Sequence, residues 1–136
     1  DAGTVTATYG DATAKAHADT LYTEDDEDNG LGTEGEVKVE GLKTIKIRNV
    51  KVQAASILQN TDWYIVRKAD AGTSVPSAIT NHRAAVRTKC AEMETAITNA
   101  SNTAAIETLY TYVNTADEGD PEVFERPLGE FPVLGS

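Results

Sequence analysis

The side chains able to attack a bond or hold a metal are few in this chain: one cysteine, Cys90, and two histidines, His17 and His82. A Cys/His nucleophilic pair needs the imidazole within hydrogen-bond reach of the sulfur. Counted along one helix, His82 and Cys90 stand about 12 Å apart, so they do not meet there. Cys90 falls on an apolar stripe and reads as a small buried side chain. The chain has no glycine-rich loop followed by Lys-Ser/Thr, no Gly-x-Ser-x-Gly elbow and no His-Glu-x-x-His pair. The expectation is a protein that is not an enzyme and uses no cofactor.

Oxygen ligands are more plentiful. "DDEDNGLGTEGE", residues 25–36, matches a calcium-loop pattern at Asp25, Asn29, Gly30 and Glu36, with carboxylates for a hard cation and glycine for the sharp turn. Glu27 stands where a shorter Asp or Asn is usual, and Gly32 stands where an apolar residue normally pairs loops. Two readings stand side by side, a weak calcium site at Asp25, Asn29 and Glu36 or a solvated acidic loop, and no metal is the favoured one.

The third group is "TDW…HRAAVR": Thr61, Asp62 and Trp63 close an apolar run, and Arg83 and Arg87 follow one helical turn apart. Asp62 can accept backbone amides as a helix cap, Trp63 supplies a large apolar face, and the arginines can reach a carboxylate bidentately. None of these is a nucleophile with a base. They suit a structural corner or an interaction surface, with Trp63 buried.

The elements that must position these residues are legible from periodicity. Ile79, Arg83, Val86, Cys90, Met93 and Ile97 step by four and three, predicting a helix over about 77–98 that opens on Pro76 and Ser77. Ile106, Leu109, Tyr110 and Val113 predict a shorter one over 103–113 behind Ser101 or Asn102. Residues 37–58 alternate like a strand at first, yet Leu42 to Leu58 holds neither Gly nor Pro, so a β-leaning start at 37–40 and a helix over about 42–59 are expected. "DATAKAHADTLYT" (11–23) predicts a short helix and "TVTATY" (4–9) a short strand. Residues 24–36 read as a loop. The fold class is therefore mainly α: a helical hairpin core with a short N-terminal helix, minor β and extended arms at both ends.

Charge divides the chain in the same three places. The net charge of −10 is made of −9 over residues 1–36, +5 over 37–99 and −6 over 100–136. Residues 1–36 thus form an acidic arm, 37–114 a helical core and 115–136 a second arm. The second arm carries three prolines and the spaced apolar anchors Phe124, Leu128, Phe131 and Leu134. Such a segment has no core of its own and must dock on another surface, expected to be a neighbouring copy's basic middle. An acidic chain argues against nucleic acid as a partner. No apolar run nears the roughly 18–20 residues that span a bilayer, so no membrane partner is expected.

"ILQNTDW", a short connector and "ITNHRAAVR" together resemble the C-terminal region of tail-fibre assembly chaperones and related tail proteins of tailed bacteriophages. There a helix ends at Thr-Asp-Trp and the next carries Trp-x-x-Tyr-Arg-x-x-Leu-Arg. Thr61, Asp62, Trp63, Arg83 and Arg87 match, while Ile79, His82 and Val86 stand for the Trp, Tyr and Leu. The resemblance covers about residues 42–98. "TDWYIVRKADAG", "EMETAITNA" and "RPLGEFP" are similar to cyanophage virion proteins. The resemblance implies a non-enzymatic structural protein of a phage tail or tail fibre, assembled in the host cytoplasm, with other virion proteins and its own copies as partners. A transient assembly chaperone is the alternative within that class, and a calcium-dependent binding module is the alternative outside it.

Overall fold

The computed structural model describes residues 16–135. The strand expected over 4–9 and the first part of the helix expected over 11–23 lie outside them. In chain order the elements are β1 (Thr20–Leu21), α1 (Glu24–Asp28), β2 (Val37–Val39), α2 (Leu42–Gln59), α3 (Asp62–Ala71), α4 (Ser77–Asn99), α5 (Thr103–Tyr110), β3 (Val113–Asn114) and β4 (Phe124–Glu125). The protein is mainly α-helical, with two small two-stranded antiparallel sheets, β1 with β2 and β3 with β4.

The core is the seam between α2 and α4. Val50 of α2 meets Met93 and Ile97 of α4, and Leu128 from the C-terminal segment completes the cluster, flanked by Ile47, Cys90, Leu109, Tyr110 and Phe131. The stripe on α4 is the one its spacing predicts: Ile79, Arg83, Val86, Met93 and Ile97 are its buried residues. α5 is capped by Asn102, whose side chain accepts the Ala105 N–H at 2.8 Å, and buries Ile106.

α2 begins on Gly41, which offers no side-chain cap. Its first amides are satisfied from outside the helix instead. Leu42 N donates to the Ala16 carbonyl (2.8 Å) and Lys43 N to that of His17 (3.0 Å). The Asp19 carboxylate accepts the Gly41 N–H and the Thr44 hydroxyl, each at 2.7 Å. The hydroxyl of Thr44 foremost, then the Gly41 amide, hold the Asp19 carboxyl below the usual carboxylate range. A Cβ at position 41 would run into the Ala18 carbonyl, so glycine is demanded by the close approach of the two chain segments.

Three expectations are corrected here. Residues 16–23 contain bends and β1 rather than helix, and the short helix starts only at Glu24, behind a Thr23 and Asp26 capping box. A further helix, α3, occupies 62–71, where the sequence suggested a connector; Gly72, at φ 70°, ends it in the left-handed region. The C-terminal arm does not wait for a neighbour. Leu128 is 3% exposed inside its own chain's core, Phe131 packs against the same cluster, and Leu128 N donates to the Leu109 carbonyl at 3.0 Å. The reason is local: α2 and α4 leave an open end at Met93 and Ile97 that α5 alone does not close.

Candidate functional site

The residues of the Thr-Asp-Trp corner separate into two groups. Arg83 is 8% exposed, and its guanidinium does three things with one nitrogen. Nη1 donates to the Leu58 carbonyl (2.8 Å) and to Thr61 Oγ1 (2.8 Å), and lies 2.9 Å from Asp62 Oδ1. Thr61, also buried, donates its own hydroxyl to the Leu58 carbonyl at 3.1 Å. Leu58 is in the last turn of α2, where the helix dipole favours a cation, and its carbonyl also accepts the Thr61 N–H at 3.0 Å. Asp62 is the first residue of α3, where the same dipole favours an anion. Arg83, projecting from α4, therefore pins the end of one helix and the start of another.

Asp62 acts through that ion pair and not as the cap the sequence suggested. The residue before α3 is Thr61, and its side chain makes no capping bond to the helix.

Trp63 and Arg87 stand apart from this network. Trp63 is 52% exposed, contrary to its expected burial. It stacks on Tyr64 with ring centroids 3.7 Å apart, and the Arg67 guanidinium lies 4.9 Å from its ring. The physical reason is the extra helix: at the second position of α3, Trp63 is carried around to the outer side, while Thr61 and Arg83 fill the corner. Arg87 is exposed one turn further along α4.

α3 as a whole buries no residue, and Ile65 and Val66 are exposed beside Trp63. A cleft of about 350 Å³ opens next to the corner, between Ile57, Thr61 and His82 on one side and the 131–134 segment on the other. Leu134 lies there half exposed, and Phe124, the first of the four expected arm anchors, is exposed on β4.

The calcium pattern does not form a loop of ligands. Asp25 is inside α1, and Asn29 caps its end with the side chain donating to the Asp25 carbonyl at 2.6 Å. Glu36 lies in the stretch that enters β2. Among the described residues no three His, Cys, Asp or Glu side chains gather into a metal-holding group. Asp26 is drawn instead to Lys38, 2.9 Å away, and that contact foremost lowers its carboxyl below the usual range. Cys90 donates to Glu94 at 3.3 Å, and burial foremost pushes its thiol up, away from the nucleophilic thiolate.

A second polar cluster escaped the sequence reading. Arg126 and Lys46 both lie over the Tyr110 ring, at 5.3 and 4.6 Å from its centroid. Arg126 Nε donates to the Gly129 carbonyl and reaches Glu130 Oε1, each at 3.0 Å, and Tyr112 donates its hydroxyl to Glu130. This cluster straps the turn that carries Leu128 onto α5. Its only sequence signal was the single basic residue in an otherwise acidic arm.

No family model matches the chain, and no curated protein or solved structure matches it. Among the described residues no helix is long and apolar enough to cross a membrane.

Proposed function

We propose that the chain is a non-enzymatic structural component of a bacteriophage virion, associated with the tail or tail fibre, and that it works by assembling with other virion proteins and with its own copies. One observation carries this reading. A chain with a small interior displays Trp63, Ile65 and Val66 along α3 and Val52 on α2, outside the core. Large apolar side chains left exposed on helices are what a partner surface would cover.

The placement in a phage tail rests on the resemblance of the Thr-Asp-Trp and Arg-x-x-x-Arg residues, and their division of labour supports it. Thr61, Asp62 and Arg83 fix the angle between helices. Trp63 and Arg87, which the fold leaves exposed, are then presented to a partner on a rigid corner. A pairing of exposed tryptophan and arginine suits protein interfaces, where both are enriched among the residues that dominate affinity.

Quantitative mass spectrometry of purified phage particles tests the reading. A fixed, stoichiometric copy number is expected. Absence from mature particles, with presence during infection, points instead to a transient assembly chaperone.

A further inference from the structure

The helix α2 has a core face and a second, exposed face, and Ile47 lies at the border between them. The core face packs through Val50 and Ala54. The other, formed by Thr44, Ile47, Arg48, Lys51, Val52 and Ala55 at helical spacing, lines a shallow groove of about 530 Å³ in which Val52 is 61% exposed. α2 holds four cations, Lys43, Lys46, Arg48 and Lys51, and no carboxylate.

The complementary surface lies on the same chain. Between Tyr112 and Glu125 stand Asp117, Glu118, Asp120, Glu122 and Glu125, with no basic residue among them. These residues form the β3–β4 hairpin, registered Val113 to Glu125 and Asn114 to Phe124 and tightened by Thr115 N donating to the Val123 carbonyl at 2.7 Å. Phe124, Val113 and Val123 are exposed on it. The hairpin is held at its base by the Leu128 anchor, so it is presented rather than loose.

We propose that the second face of α2 is the docking surface for the β3–β4 hairpin of another copy of this chain, with Phe124 seated over Ile47, Val52 and Ala55 and the hairpin carboxylates set against Arg48 and Lys51. Charge selects this occupant. Two α2 faces would bring like charges together, whereas the hairpin brings only carboxylates. Arg48 pairs with Glu40 and Lys51 lies 3.5 Å from Glu94 within the chain, but both cations are exposed. Exposed pairs of this kind contribute about 0–1 kcal/mol, so they yield readily to a partner's carboxylates. Because the two surfaces differ, the contact is complementary rather than self-matching, which suits rings or filaments.

The inference rests on the assembly reading for its setting, while its test needs only the purified chain. Val52→Asp removes the groove and Phe124→Ser removes the anchor; both positions are exposed, and Ala55→Glu serves as a second groove variant. Native mass spectrometry and light scattering of the full-length proteins are expected to show each variant associating at least about tenfold more weakly than the parent chain. An equimolar mixture of Val52→Asp and Phe124→Ser chains should recover a mixed dimer, since one supplies the hairpin and the other the groove. Recovery supports the proposal even if the protein is absent from particles, which would overturn only the virion placement. A parent chain that stays monomeric, variants that associate like the parent, or a mixture that does not pair would overturn the proposal. Loss of association on charge reversal in residues 24–28, with Phe124→Ser silent, would assign the groove to the acidic N-terminal segment instead and also overturn it.

Discussion

Arg83 of α4 donates from Nη1 to the carbonyl of Leu58, 2.8 Å away and twenty-five residues earlier in the chain, in the last turn of α2. The same nitrogen binds Thr61 and Asp62, so one buried cation sets the geometry of three helices. Removing it strips the Leu58 carbonyl, the buried Thr61 hydroxyl and the Asp62 carboxylate of their shared cation and empties the volume of a buried side chain. Arg83→Ala is expected to destabilise the fold by about 3 kcal/mol. Because every contact comes from Nη1 alone, Arg83→Lys, whose ammonium carries three donors on one nitrogen, should recover part of the loss. Asp62→Asn, at the exposed end of the pair, should cost less than about 1 kcal/mol. Urea unfolding of the three variants checks the order.

Trp63 should behave oppositely. Its indole is half exposed and stacks on Tyr64 of its own helix, so Trp63→Ala is expected to change stability by less than about 1 kcal/mol. As the chain's single tryptophan, it should emit at long wavelength and be open to a soluble quencher in dilute solution. A blue-shifted, protected emission from the dilute monomer would contradict the exposed placement.

The C-terminal segment gives a paired test within one arm. Leu128→Ala removes a side chain from the main core and should lose about 3 kcal/mol. Phe124→Ala, four residues earlier but exposed, should leave the melting temperature nearly unchanged. Equal losses at both sites would mean that the hairpin belongs to the core.

How much of this was legible in the sequence follows from what each signal is made of. α4 was readable because a long stripe of apolar residues, interrupted only by Arg83, carries its own period and opens on Pro76 and Ser77. α2, which alternates like a strand at first, was readable instead from the run Leu42 to Leu58, which holds neither Gly nor Pro. α3 was not, because it is short and buries no residue, so its residues resembled a connector closed by a tryptophan. Of the five residues grouped at the corner, the fold brings Thr61, Asp62 and Arg83 together, and only the fold could say that Trp63 turns away from them. Leu128 and Phe131 were identifiable as anchors. Their acceptor was not, since spacing reports that an apolar residue needs a surface without saying whose.

The start of α2 makes stability respond to acid. Asp19 accepts two hydrogen bonds there and its folded-state pKa is depressed, with the Thr44 hydroxyl as the chief cause. Its contribution is therefore complete above the ordinary unfolded carboxylate value and is lost as the pH falls through the lower folded value. Asp19→Asn should lower the melting temperature at neutral pH, and its gap from the parent chain should close in strong acid. Gly41→Ala should destabilise at every pH, because the clash with the Ala18 carbonyl does not titrate.

The claim that this chain works by assembling is tested most directly by sedimentation velocity of the full-length protein over a wide concentration range. Reversible growth beyond the monomer is predicted as concentration rises, receding as salt approaches about 1 M, where the screening length falls to about 3 Å. A single monomeric species at every concentration and salt would contradict it.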